Sequence, residues 1–177
     1  MAKGRIIAYS GTHGTGKTTA VYDRIGALKR LHPDKLIGPH VENLIFCPYP
    51  INGRSSMESQ LWVFTNHIQA ELNLMTRYDI VVSDRSAVDA IAYTSAHGWT
   101  DLAGQMMGLV RSHMAHYSEI VFMMAEGNRH VHDDGLRDVD EAFRKEVQVH
   151  MLWIYGQLGF DFEHTGGGMV RAERRCT

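Results

Sequence analysis

A three-layer α/β domain, with helices on both faces of a parallel sheet of about five strands, is the fold this 177-residue sequence predicts, and two stretches carry the prediction. The first is Gly11-Thr12-His13-Gly14-Thr15-Gly16-Lys17-Thr18, which satisfies the phosphate-loop pattern G-x-x-x-x-G-K-[ST] at every fixed position. It follows the apolar run Ile6-Ile7-Ala8-Tyr9 and precedes a segment of helical spacing, which is the strand, loop and helix that the pattern requires. The second is Ile80-Val81-Val82, a continuous β-branched run of the kind found in strands buried on both faces of a parallel sheet.

Taken in order, residues 18–31 carry Val21, Ile25 and Leu28 at helical spacing, and His32-Pro33-Asp34 ends that helix. Residues 36–46 read as a strand that breaks at Pro48 and Pro50. Ser55 or Ser56 caps a long helix in which Met57, Leu61, Phe64, Ile68, Leu72 and Met75 form one packing stripe. Gln60, His67 and Glu71 flank that stripe on one side, and Trp62, Asn66 and Gln69 on the other; one flank faces a ligand, or each polar residue is simply exposed. A strand ending at Asp84, helices over 88–96 and 102–117, and a strand over 119–124 follow. Residues 127–138 are polar and glycine-punctuated, which predicts a mobile lid. The helix over 139–158 opens with Asp140 and Arg144, then Glu141 and Lys145, each pair four apart like ordinary surface ion pairs. A last strand near 160–163, a glycine turn over 165–168 and a solvated basic tail over 171–175 close the chain.

The length suits one domain spanning 1–177. A net charge of −2 and a pI near 6.6 announce no surface for DNA or membrane. Cys47 and Cys176 lie far apart with no C-x-x-C pairing, and no apolar run is long enough to span a bilayer, so a reduced, cytoplasmic protein is expected. The eleven histidines are scattered; the close pair His130 and His132 does not make a metal site alone, and no structural zinc is expected.

The glycines of the loop let backbone N–H groups wrap phosphate oxygens in front of a helix N-terminus. Gly11, Thr12, His13, Gly14, Thr15, Gly16, Lys17 and Thr18, with Thr19 beside them, form the expected ATP-binding set. Lys17 reaches the β- and γ-phosphates and Thr18 places its hydroxyl on Mg²⁺. Asp84 arrives where a parallel strand ends, the edge at which such sheets bind ligands, so it is placed to hold the metal or to take a proton from an attacking hydroxyl. Arg85 offers forked pairing to phosphate or carboxylate. Glu42, near the end of the second strand, reads equally as a base or substrate ligand and as a solvated loop charge. Arg129 and Arg137 lie in the lid segment, where cations serve a transferred phosphoryl group.

Together, residues 11–18, Asp84-Arg85-Ser86 and Asp134-Gly135-Leu136-Arg137-Asp138 with Phe143-Arg144 resemble the P-loop small-molecule kinases. The likeness is to the group of nucleoside kinases, thymidylate kinase and ribosylnicotinamide kinase-type ATPase domains. It implies a P-loop NTPase fold, ATP and Mg²⁺ as cofactors, and a nucleoside-like acceptor. Lys17 and Thr18 then serve ATP and Mg²⁺, Asp84 and Arg85 meet the acceptor end, and Arg137, with Arg129, is a lid arginine. Glu42 resembles the base that deoxynucleoside kinases place after their second strand, although no proline follows it. Gln60 resembles the glutamine with which those enzymes read a nucleobase edge, and Asp84 stands where Glu is more typical before Arg-Ser. A kinase of bases or ends within nucleic acid, and a nucleotide-dependent switch that phosphorylates no small molecule, are the competing readings; oligomerisation is left open.

Overall fold

The computed structural model describes residues 4–42, 44–51, 54–124, 141–164 and 169–174. The expected lid, with Arg129 and Arg137, lies outside the described residues. The chain runs β1 (Arg5–Ser10), α1 (Lys17–Leu31), β2 (Ile37–His40), α2 (Met57–Met75), β3 (Ile80–Asp84), α3 (Ala87–Ala96), α4 (Thr100–His113), β4 (Tyr117–Met123), α5 (Glu141–Gln157), β5 (Phe160–His164) and β6 (Met169–Arg174).

The sheet order is β2-β3-β1-β4-β6-β5. The first four strands in the chain are mutually parallel, whereas β6 runs antiparallel to both β4 and β5. The parallel sheet therefore has four strands rather than about five, and the segment expected as a basic tail is instead the strand that continues the sheet beyond β4. The predicted helix over 102–117 ends at His113, a short 3-10 turn follows, and Tyr117 already belongs to β4.

Side-chain alternation along β1 divides the core. Ile6 and Ala8 pack into a cluster with Phe64 and Met75 of α2, Val88 and Ile91 of α3, Met106 and Val110 of α4, and Val147 and Met151 of α5. Ile7 and Tyr9 face the opposite side, where Val21, Ile25 and Leu28 of α1 cover the sheet. Of the helices among the described residues, one thus packs on one face and four on the other. Among the described residues no helix is long and apolar enough to cross a membrane.

α2 begins with a reciprocal capping box in which Ser56 and Ser59 each bond the other's backbone N–H. That cap fixes the register of the helix, and with it which flank turns toward the sheet edge.

Candidate functional site

β1 and β3 are paired with Tyr9 opposite Asp84, so the phosphate loop and the Asp84-Arg85-Ser86 turn leave the sheet side by side. Gly11 holds φ +137°, and a Cβ there would meet the Met123 carbonyl oxygen of β4 at 2.4 Å. Only glycine fits the loop at this close approach. Gly16, at φ +86°, is the N-cap of α1 and supplies no side-chain cap, so the first N–H groups of that helix keep the donor capacity that favours an anion.

Lys17 is buried, and its Nζ donates to the Thr12 carbonyl at 2.6 Å and to Thr15 Oγ1 at 3.3 Å. Burial first, and then the neighbouring Arg85 guanidinium, lower its pKa to about 7. Thr18, exposed on the first turn of α1, donates its hydroxyl to Asp84 Oδ2 at 2.5 Å. Two hard oxygens therefore meet beside the loop, the donor set that Mg²⁺ takes together with phosphate oxygens. Among the described residues, two buried polar atoms bordering the loop, Thr12 Oγ1 and Arg144 Nε, have no hydrogen-bond partner. Backbone, charge and donor set thus fit a magnesium-bound phosphate ligand. Thr19 is exposed in the same helical turn.

Arg85 sits at φ +81°, the left-handed region that side chains other than glycine rarely occupy. Its guanidinium pairs with Glu42, lies 3.5 Å from Asp89 Oδ2, donates to the Gly11 carbonyl at 3.4 Å and stands 5.8 Å above the Tyr93 ring. Burial opposes its charge, but Glu42, Tyr93 and Asp89 outweigh that and raise its pKa. The ion pair places Glu42 beside Arg85 as a fixed partner, so it is not the solvated loop charge that was the alternative reading.

The fold also assembles residues that the sequence left unassigned. Asp89 accepts from Ser10 Oγ at 2.5 Å and from Ser86 Oγ at 3.1 Å, while its Oδ2 has no hydrogen bond. Burial raises its pKa. Ser86 caps α3 and shares a 2.6 Å hydrogen bond with the Tyr155 hydroxyl of α5. Asp140 lies outside the described residues; Arg144, read as its partner on the helix surface, is buried and donates to the His13 carbonyl at 3.1 Å, and Glu141 and Lys145 form their expected pair at 2.8 Å. The signal for Arg144 was its place on the same stripe as Val147 and Met151.

A cavity of about 170 Å³ adjoins Arg85. Its polar lining includes His40, Glu42, Asn66, His67, Gln69 and Asp89, with Trp62 along one wall. Trp62, Asn66 and Gln69 of one flank of α2 thus face the cavity, joined by His67 of the other. Gln60 is not brought there: it is buried and its Nε2 donates to Ser55 Oγ at 3.2 Å. Glu71 is fully buried, so simple exposure does not describe it. Its Oε1 takes His67 Nε2 at 3.1 Å, and its Oε2 takes His113 Nε2 and the Tyr117 hydroxyl, each at 2.7 Å. Burial works against the Glu71 anion, but His67 and His113 outweigh it and hold the carboxyl below the usual range. Burial and the nearby His67 lower His40 to about 3, which leaves it a neutral imidazole.

No family model and no curated protein matches the sequence. Among solved structures, a thymidylate kinase from Ehrlichia chaffeensis aligns over 87% of this chain and 87% of its own, with a TM-score of 0.54 and 16% identity. At that identity the likeness is one of architecture, and the chain shares the α/β fold of a thymidylate kinase.

Proposed function

We propose that the chain is an ATP-dependent, Mg²⁺-assisted phosphotransferase whose acceptor is the hydroxyl of a nucleoside-like small molecule. The observation that carries this reading is that the Thr18–Asp84 contact stands one residue from Arg85, which lines a cavity together with Glu42 and the amides of α2. The thymidylate kinase fold supports phosphoryl transfer at that edge.

Lys17 and the loop N–H groups bind the transferred phosphoryl end, and Thr18 with Asp84 holds the metal. When bound, Mg²⁺ neutralises charge on the phosphate oxygens. That leaves Glu42 as the base for the acceptor hydroxyl, with Arg85 as the residue that positions it. Arg144 and the lid residues Arg129 and Arg137 supply further positive charge. The basic side chains of the described lining already face carboxylates: Arg85 faces Glu42 and Asp89, and His67 faces Glu71. An acceptor that already bears a phosphate finds no spare charge there, whereas a hydroxyl meets acceptor oxygens.

Label transfer from γ-labelled ATP with Mg²⁺ to a panel of nucleosides and their 5′-monophosphates tests both parts. Transfer to a nucleoside is expected. Transfer to monophosphates alone overturns the acceptor class, and acceptor-independent ATP hydrolysis overturns the kinase reading in favour of a nucleotide switch.

The lowered Lys17 pKa gives a second expectation. Between about 7 and its ordinary 10.5 the unfolded chain holds a proton that the nucleotide-free fold lacks, so this group makes stability rise with pH across that window. A bound triphosphate restores the ammonium. Calorimetric titration near pH 8 in buffers of different ionisation enthalpy should therefore show proton uptake on ATP binding; buffer-independent heats contradict it.

A further inference from the structure

Histidines scattered along the sequence converge on the floor of the acceptor cavity. His40 ends β2, while His67 and Glu71 lie one turn apart on α2 and so share a helix face. One donor atom from each of the three lies within 4.8 Å of the others, and all three side chains are buried. Both imidazoles line the cavity, and their rings meet edge to face with centroids 4.5 Å apart.

One distance separates this cluster from an ordinary hydrogen-bond network. His67 Nε2 lies 3.1 Å from Glu71 Oε1, but His40 Nδ1 lies 4.0 Å from that same oxygen. The second separation is too long for a hydrogen bond and too short to admit a water between the atoms. Two ligand atoms bonded to one ion at about 2.0–2.1 Å each stand that far apart when they lie nearly opposite each other, and the first separation suits adjacent ligands. The groups behind are arranged as supports. His40 Nδ1 would exchange its 2.9 Å contact with Ser83 Oγ for the ion, while His113 and Tyr117 hold the other carboxylate oxygen. Such outer partners fix the orientation of metal ligands.

We propose that His40, His67 and Glu71 bind one divalent transition-metal ion of the zinc, cobalt or iron class, distinct from the Mg²⁺ position at Thr18 and Asp84, with its remaining coordination positions open to the cavity. Imidazole nitrogens select such ions over Mg²⁺, which prefers an all-oxygen shell. The open positions would take water or a nitrogen or oxygen donor of the molecule in the cavity. The site stands on its own geometry, whichever reaction the loop performs.

Chelator-stripped, tag-free protein titrated with Co²⁺ under excess Mg²⁺ tests this directly. The expected result is a visible absorption band that saturates at one equivalent and is displaced by Zn²⁺. His40→Asn and His67→Gln should each abolish the band, while Thr18→Ala should retain it. His67→Gln keeps an amide donor for Glu71, and thermal unfolding confirms which variants are folded. His113→Gln, behind the carboxylate, should weaken Co²⁺ binding by about 10–100-fold. No band in the wild-type protein, or an unchanged band in either folded ligand variant, overturns the site. Because the wild-type titration alone can refute it, the proposal stays falsifiable even if a variant fails to fold.

Discussion

Lys17→Ala is expected to lower phosphoryl transfer by about 10²–10³-fold, the range for losing one preorganised charge-stabilising donor, while leaving thermal stability unchanged or slightly raised. The two halves of this expectation share one cause. Lys17 is buried with its Nζ held at the Thr12 carbonyl, and burial has lowered its pKa to about 7, so the fold itself works against that ammonium. Its justification lies in charge that arrives with a ligand. The Thr12 carbonyl does not lose its only partner, because Thr15 Oγ1 also donates to it at 3.0 Å. Steady-state turnover and a melting curve on the same preparation check both halves. Turnover within tenfold of wild type, or a collapse in melting temperature, would sink this role.

Glu71→Ala should have the largest effect on stability, a loss of about 3–5 kcal/mol as for other broken buried charge pairs. For a chain of this size that corresponds to a melting temperature lower by roughly 6–20 °C. The carboxylate accepts from His67, His113 and Tyr117, and all three buried donors lose that acceptor when it is removed. The damage also travels, because the Tyr117 hydroxyl accepts the Ala87 N–H at 3.2 Å in the first turn of α3, the helix that carries Asp89. Glu71→Gln keeps an acceptor and should lie between. Urea unfolding measures the difference; a loss below about 1 kcal/mol would mean that the donors find other partners.

What could be read from the sequence was what depends on neighbours in the chain. The run from Ile6 to Thr18 specified β1, the loop and the start of α1, because glycine spacing and a following helix are local facts. The Met57-to-Met75 stripe gave α2 its bounds for the same reason. Asp84 was placed from the end of a β-branched run, and its meeting with Thr18 followed from strand pairing. Contacts across the chain were not legible. His40, His67 and His113 share one carboxylate only because β2, α2 and α4 stack, and no spacing rule connects them. Gln60 was assigned by likeness, but the capped register of α2 sends its amide to Ser55. The strand β6 was missed although Val170 and Ala172 alternate with Arg171 and Glu173, since basic residues near a chain end resemble a solvated tail.

The position of β6 bears on how the chain can be made. The parallel strands are all synthesised by Met123, yet β4 gains its second neighbour only when residues 169–174 return between it and β5. Until then Ile120, Val121 and Phe122 form an open, apolar sheet margin that invites pairing with another chain. The opposite margin carries its own protection, since β2 is four residues long and includes Pro39. A nascent chain that has not yet reached β6 is therefore vulnerable on one side of its sheet, and the pairing of β6 removes the hazard.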